Sequence, residues 1–335
     1  MALIDTFVLF KCLTVFSVSL SLNVFLVYYQ KRINILDIPN DRSSHDRVVP
    51  RSGGIAIFGA FVYAFILFNP LDNAVALLPL TLVFVTGLWD DIRSVPARLK
   101  LLITACAGGL LYLNGFDIQR FGIFFGHEIV FTFWAALAFC AFAISGFVSA
   151  LNLIDGLDGL ASCIALVILA AFFYIGWKYE DLFLFYTSIG LISALVGFLV
   201  LNWHPAKIFM GDSGSLTIGF IIAMLTLYSI QKAYITAISI LLLAAIPILD
   251  TLIVMLRRIL NHQSPLHADK THIHHMIFQL QNGNTRRTVI ILGLLQGFFS
   301  YIGLGFKVRD DVYIFFLYAL CFTIFYLLLT PKRGA

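Results

Sequence analysis

Long apolar runs cover almost the whole sequence and constrain its fold more than any other feature. The chain has 335 residues, of which 60% are hydrophobic and 12% are charged, and its mean hydropathy is +0.94. A soluble domain carries about 25% charged residues, whereas a helix of about 20 apolar residues crosses a bilayer. We therefore predict an all-α polytopic integral membrane protein whose single transmembrane domain comprises residues 1–335.

About eleven of these runs have the length of a membrane-spanning helix. Their predicted cores are residues 5–29, 53–70, 74–89, 101–117, 130–150, 160–177, 182–201, 213–230, 233–256, 288–306 and 312–330. A glycine-punctuated segment within 118–130 predicts a small hairpin between two of them. The five cysteines lie inside apolar runs without paired spacing, which predicts neither disulfides nor a zinc site.

Lysine and arginine are distributed unevenly between the two sides of the predicted bundle. One set of loops comprises 30–52, 90–100, 151–159, 202–212 and 257–287 and the tail 331–335. This set carries sixteen lysines and arginines, whereas the opposite loops carry five. Because cytoplasmic loops are enriched in these residues, we predict an outer N-terminus and a cytoplasmic C-terminus. Every loop with candidate chemistry then faces the cytoplasm.

Acidic residues cluster in these cytoplasmic loops. Asn152, Asp155 and Asp158 are spaced three residues apart between two apolar runs, and acids so close to hydrocarbon are costly. The set suits Mg²⁺, or a sugar or base with polar hydrogens; the alternative is a short polar turn. The adjacent Asp90 and Asp91 either bind a metal–diphosphate, or supply a base, or form an ordinary charged helix end.

Two further loops carry polar sequence patterns. The pattern Gly-Asp-Ser-Gly-Ser from Gly211 predicts a phosphate at a helix N-terminus, with Asp212 on its magnesium; simple helix capping is the alternative. Three histidines lie within 272–275 and suit zinc or phosphate, or an unremarkable solvated loop. Asp250 lies about 10 Å along a helix from Arg257, so it is either functional or paired with a polar group of a neighbouring helix.

Together these motifs resemble those of polyprenyl-phosphate N-acetylhexosamine-1-phosphate transferases. The resemblance rests on the order of four motifs over nearly the full length. They are Asp90-Asp91, Asn152-Leu-Ile-Asp155-Gly-Leu-Asp158-Gly, Phe209-Met-Gly-Asp212-Ser-Gly-Ser215 and His272-Ile-His274-His275. It implies transfer of a sugar-1-phosphate from a UDP-N-acetyl amino sugar to undecaprenyl phosphate in the bacterial inner membrane. UMP would be released, and the cofactor would be Mg²⁺, with Mn²⁺ as an alternative.

The resemblance also implies roles for individual residues. Asp212 and Asp155 would hold the metal, and Asp90 and Asp91 would serve the acceptor phosphate or the metal. The set implied to bind substrate consists of His45, Lys100, Asn152, Asp158, Asn202, Phe209, Ser215 and His272. Among these, Phe209 would stack on the uracil base. His274 and His275 would act on phosphates as catalytic residues.

The sequence departs from the peptidoglycan branch of this family. That branch uses UDP-MurNAc-pentapeptide and has ten spans and three consecutive histidines, whereas Ile273 interrupts the triplet here. The chain is more similar to the branch that starts O-antigen or teichoic acid synthesis, with UDP-GlcNAc as the default donor. The peptidoglycan activity and a cation- or proton-coupled transporter remain as alternatives. No feature predicts a nucleic-acid partner, and a homodimer is compatible with the sequence.

Overall fold

The structure is a helical bundle, seen in a computed structural model that describes residues 6–37, 48–68, 71–264, 272–306 and 310–329. Eight helices within these ranges are long and apolar enough to cross a membrane. They are α1 (Thr6–Tyr28), α4 (Leu77–Ile92, preceded by a 3₁₀ turn), α6 (Phe133–Ile154), α7 (Leu160–Lys178), α8 (Leu182–Asn202), α9 (Gly211–Gln231), α13 (Thr285–Gly305) and α14 (Asp311–Leu329). The predicted polytopic all-α class is therefore confirmed, while the count of eleven spans and the orientation stay predictions.

The remaining helices have 17 residues or fewer. They are α2 (Gln30–Ile33), α3 (Gly53–Phe68), α5 (Ala97–Leu113), α10 (Ile240–Leu243), α11 (Ala245–Leu260) and α12 (Ile273–Leu280). The antiparallel strands β3 (Arg120–Phe124) and β4 (His127–Val130) form the hairpin predicted within 118–130. A second antiparallel pair, β1 (Leu36–Asp37) and β2 (Val49–Pro50), precedes α3. The predicted site residue His45 lies outside the described residues.

The prediction of one continuous helix over 233–256 was wrong. The chain breaks at Ala244, where α10 ends and α11 begins. Gln296 of α13 stabilises this break: its side chain accepts a hydrogen bond from the Ile246 N–H (2.9 Å) and donates one to the Leu243 carbonyl (2.9 Å). Pro247 lies in the first turn of α11, where its missing N–H is tolerated. Two of the backbone groups released by the break are thus bonded within the protein, as a membrane interior requires.

Helix α9 forms the centre of the bundle and packs against α3, α4, α6 and α7. Small residues let its neighbours approach closely. A Cβ on Gly87 of α4 would lie 2.5 Å from the Asp212 carbonyl oxygen, and one on Gly54 of α3 would lie 2.2 Å from the Gly214 nitrogen. The ends of α3 and α4 are therefore held directly against the N-terminus of α9, where the candidate site forms.

Candidate functional site

A cavity of about 340 Å³ lies at the N-terminal end of α9, in the size range of small-molecule sites. Its walls come from distant parts of the chain. They comprise Asp37, Arg51, Asn152, Asp155, Gly156, Leu157, Asp158, Asn202, Phe209, Met210, Gly211, Asp212 and His275. Three of the four sequence motifs line this cavity directly. The fourth, the Asp90-Asp91 pair, does not line it but contacts the N-terminus of α9 through Asp91.

Asp91 holds the N-terminus of α9. Its carboxylate accepts hydrogen bonds from the backbone N–H groups of Asp212 (2.8 Å) and Ser213 (2.9 Å), and another from the Ser213 hydroxyl. Its side chain has no exposed surface. The first N–H groups of a helix have no partner within the helix, and an acid there is favoured electrostatically. Asp91 therefore fixes the position of Asp212 from the neighbouring helix.

Two cations lie among the acids. Arg51 Nη2 lies 2.7 Å from Asp212 Oδ1, and its Nε lies 3.2 Å from Asp91 Oδ1. Lys100 Nζ lies 2.6 Å from Asp212 Oδ2 and 3.2 Å from Asp90 Oδ1. Each oxygen of Asp212 thus contacts a different cation, which offsets the repulsion among three neighbouring carboxylates. A guanidinium and an ammonium group are both suited to bind an anionic ligand.

Asp155 is the acid of the loop between α6 and α7, and its environment favours the neutral form. Burial, followed by the charge of Asp212, raises the pKa of Asp155 from 3.8 to about 7, against a smaller opposing effect of Arg51. A divalent cation nearby would favour the carboxylate instead, because an opposite charge lowers an acid's pKa. Asp155 is therefore suited to gain its charge when a cation binds.

The acid cluster fits Mg²⁺ by its donor chemistry. One carboxylate oxygen from each of Asp90, Asp91 and Asp212 lies within 4.8 Å of the others, and Asp155 adjoins them. Hard divalent cations take oxygen ligands of this kind. The Asp91 oxygens already accept hydrogen bonds from α9. The better candidates to hold the ion are therefore Asp212, Asp155 and Asp90.

The amide of Asn152 connects two motifs. Its Nδ2 donates to the Ser215 hydroxyl at 2.8 Å, and Ser215 in turn donates to the Gly211 carbonyl at 3.1 Å. Ser215 is fully buried, so it supports the site from behind instead of reaching the cavity. The predicted substrate contact of Asn152 stays open to test, since this residue also lines the cavity.

Asp158 and Asn202 connect the loop of the second motif with residues 202–208, which precede the third motif. Asp158 Oδ2 lies 2.8 Å from His204 Nδ1 and accepts from the Ala206 N–H at 3.1 Å. The Asn202 amide accepts from the Gly159 N–H (3.1 Å) and donates to the Ile208 carbonyl (2.9 Å). Both residues therefore shape the loops that place Phe209 in the cavity wall.

The three histidines of the fourth motif lie in different environments. His275 lines the cavity. His272 and His274 are buried and direct their Nδ1 atoms at Asp250 Oδ2, at 3.1 and 3.4 Å. Asp250 is therefore paired with polar groups at the start of α12, in line with the hypothesis that this deep acid pairs with a neighbouring helix.

Comparison with known proteins agrees with these motifs. Residues 73–230 match the family model described as glycosyl transferase family 4. A probable undecaprenyl-phosphate N-acetylglucosaminyl 1-phosphate transferase of Bacillus subtilis (strain 168) is 34% identical over 285 residues, which cover 82% of this chain and 78% of that protein. The chain belongs to glycosyl transferase family 4.

Two further relatives of this family 4 chain carry the name undecaprenyl-phosphate alpha-N-acetylglucosaminyl 1-phosphate transferase. The Escherichia coli (strain K12) protein is 29% identical over 82% of this chain and 78% of its own length. The Thermotoga maritima protein is 29% identical over 95% of this chain and 96% of its own length. The family resemblance and the N-acetylglucosaminyl branch are confirmed, and the chain is an enzyme, which argues against the transporter hypothesis.

The family 4 motifs did not identify every residue at this site. Arg51 was not among the predicted site residues, although it contacts three of the acids. The available signal was a basic residue two positions before Gly53-Gly54 and an apolar run. Lys100 was expected to hold phosphate, and here it pairs with Asp90 and Asp212.

Proposed function

We propose that this protein transfers N-acetylglucosamine-1-phosphate from UDP-GlcNAc to undecaprenyl phosphate and releases UMP. The observation that carries the proposal is the acid cluster with its two cations at one end of the bundle, beside a cavity with an aromatic wall. Phosphoryl transfer needs positioning and charge stabilisation more than covalent chemistry. The names of the quoted relatives support both the acceptor and the sugar.

Asp212 and Asp155 would hold Mg²⁺, and the ion would supply positive charge to the diphosphate of the donor. The acceptor phosphate oxygen attacks the phosphorus that carries the sugar, the bond from this phosphorus to the UMP oxygen breaks, and UMP leaves. Asp90 takes the remaining proton of the acceptor phosphate. Arg51 and Lys100 bind phosphate oxygens, for which a guanidinium and an ammonium are both suited.

Three residues of the cavity wall bind the uridine part. Phe209 stacks on the uracil, and Asn152 and Asp158 bind its polar edge and the ribose. His275, which also lines the cavity, contacts a phosphate. Since His272 and His274 do not line the described cavity, their role is indirect.

The active site faces the cytoplasm of the bacterial inner membrane in this proposal. The excess of lysine and arginine in the loops at this end supports that orientation. The donor is water-soluble and the acceptor lies in the bilayer, so the reaction needs a site where helices meet the aqueous phase. A cell-surface glycan, such as O-antigen, would be built on the product.

UMP release by the purified protein tests the proposal. Undecaprenyl phosphate, Mg²⁺ and UDP-GlcNAc should give UMP, EDTA should abolish it, and Asp212→Asn should lack it while remaining folded. Asp181→Asn is the matched control, because Asp181 caps α8 and lies outside the cavity. Turnover only with UDP-MurNAc-pentapeptide would assign the peptidoglycan activity instead, and normal turnover by Asp212→Asn would remove this residue from the site.

A further inference from the structure

Asp250 lies in α11, away from the cavity, and is almost completely buried. Its Oδ1 accepts a hydrogen bond from the Ile273 N–H at 2.6 Å, and its Oδ2 lies 3.1 Å from His272 Nδ1 and 3.4 Å from His274 Nδ1. Ile273 is the first residue of α12. One carboxylate therefore holds both the start of this helix and two of its histidines.

This contact determines where the proton of each neutral imidazole lies. A carboxylate only accepts hydrogen bonds, so the two Nδ1 atoms act as donors and the Nε2 atoms carry no proton. His274 Nε2 is buried and has no hydrogen-bond partner among the described residues. It faces the backbone of Gly156, the neighbour of Asp155. The His274 ring also packs against the His275 ring, with 4.2 Å between centroids.

We propose that Asp250 is a positioning residue for the transfer reaction: it fixes the N-terminus of α12 and the Nδ1 tautomers of His272 and His274, and so directs His275 into the cavity. The arrangement parallels Asp91, which holds the N-terminus of α9 and thereby Asp212. In both cases a buried acid on one helix bonds the first turn of another, and a residue of that turn lines the cavity. The catalytic consequence rests on the proposed function.

Asp250→Asn tests this role, because the amide keeps an acceptor for the Ile273 N–H but presents donors to imidazole nitrogens that are themselves donors. At least one histidine must then move its proton to Nε2. We expect kcat for UMP release to fall about ten- to a hundredfold, as for other residues that orient a functional histidine, with a smaller change in the donor KM.

The matched control is Gln296→Leu, which removes a buried polar side chain that holds the N-terminal end of α11. This variant should lose thermal stability but keep its kcat. If Asp250 and Gln296 both served only to stabilise the fold, activity and stability would fall in proportion in both variants. That outcome, or an unchanged kcat in Asp250→Asn, would overturn the proposal.

Nitrogen-15 NMR of histidine-labelled protein measures the tautomers without reference to activity. Wild type should show two buried Nδ1–H imidazoles, and Asp250→Asn should show at least one Nε2–H form. If the wild type releases no UMP, the proposed function fails while this spectrum still tests the positioning contact. The wild-type spectrum also suffices if the variant does not fold, since Nε2–H tautomers there would refute the contact. Stoichiometric zinc in the purified wild type would refute it too, by making Asp250, His272 and His274 a metal site.

Discussion

Gly156 allows the cavity loop to lie directly on His274. A Cβ at this position would lie 2.6 Å from His274 Nε2, where ordinary contacts begin at 3.4 Å. His274 is 1% exposed and has no open space to enter, so Gly156→Ala must move the loop or the ring by roughly 0.8 Å. Overpacking of this kind costs about 1–3 kcal/mol of the free energy of unfolding.

The same displacement should reduce activity. Asp155 and Asp158 flank Gly156 and line the cavity with it, and a misplacement near 1 Å can cost on the order of a hundredfold in rate. We therefore expect Gly156→Ala to lower both kcat/KM for UMP release and the unfolding temperature. Gly146→Ala is the control: Gly146 lies in α6 with no atoms within 4 Å of an added Cβ, so alanine there should gain up to about 1 kcal/mol of stability.

A double-mutant cycle with His274→Ala isolates the contact. Removing the imidazole removes the clash, so Gly156→Ala should cost little stability in that background, which gives a coupling energy of about 1–3 kcal/mol. Stability is the deciding measurement, because His274→Ala is expected to change activity by itself. Equal costs of Gly156→Ala in the presence and absence of His274 would refute the assignment, as would a Gly156→Ala protein as stable as wild type.

Four further substitutions test the acid cluster. The pKa of Asp155 is raised to about 7 in the folded protein, so its ionisation opposes folding as pH rises from about 4 through 7. In the absence of Mg²⁺ and at pH 8, Asp155→Asn should therefore have a higher free energy of unfolding than wild type, by on the order of 2–4 kcal/mol at most, and a higher unfolding temperature. At pH 4 the two proteins should unfold at the same temperature. A stability advantage of the variant that shrinks with rising pH would contradict this. Asp91→Asn should lose about 0.5–2 kcal/mol of stability, because an amide cannot accept all three hydrogen bonds from α9. Asp90→Asn should instead lose turnover with little change in unfolding temperature. Equal effects of the two substitutions would contradict a structural role for Asp91 and a functional one for Asp90. Arg51→Lys keeps the charge but loses the fork that reaches two acids at once, so kcat should fall about tenfold or more while the unfolding temperature changes little; wild-type kcat would show that the guanidinium geometry is not used.

The apolar runs predicted most of the helices because length and hydropathy are local properties of the sequence. The break near Ala244 was not predictable in this way, since its stabilising partner Gln296 belongs to another run, fifty residues from Ile246. In the sequence, Gln296 is visible only as a polar residue within an apolar run. In the structure, its side chain bonds the backbone groups that the break leaves free. Tertiary pairing thus overrode a pattern that favoured one continuous helix.

The candidate site shows the same limit. The acidic and glycine-rich motifs were visible because each is compact in sequence. Arg51 was not, because its contact with Asp212 joins residues 161 positions apart. The histidine motif was predicted as one unit, yet His275 lines the cavity while His272 and His274 pair with Asp250. Spacing in sequence identifies which residues are near a site, and only the fold determines which of them face it.

The pair Asp90-Asp91 illustrates why adjacent acids need not share a role. Consecutive residues on an α-helix point about 100° apart, so two neighbours near the end of α4 cannot face the same group equally. Asp91 faces α9 and is fully used by its N-terminal N–H groups, whereas Asp90 contacts Lys100, Arg51 and the Val95 N–H. The first acid of the pair is therefore the one we propose for substrate or metal, and the second holds the N-terminus of α9 and with it Asp212. In this acidic pair, one residue is thus proposed for the reaction, and the other makes the contact that orients Asp212.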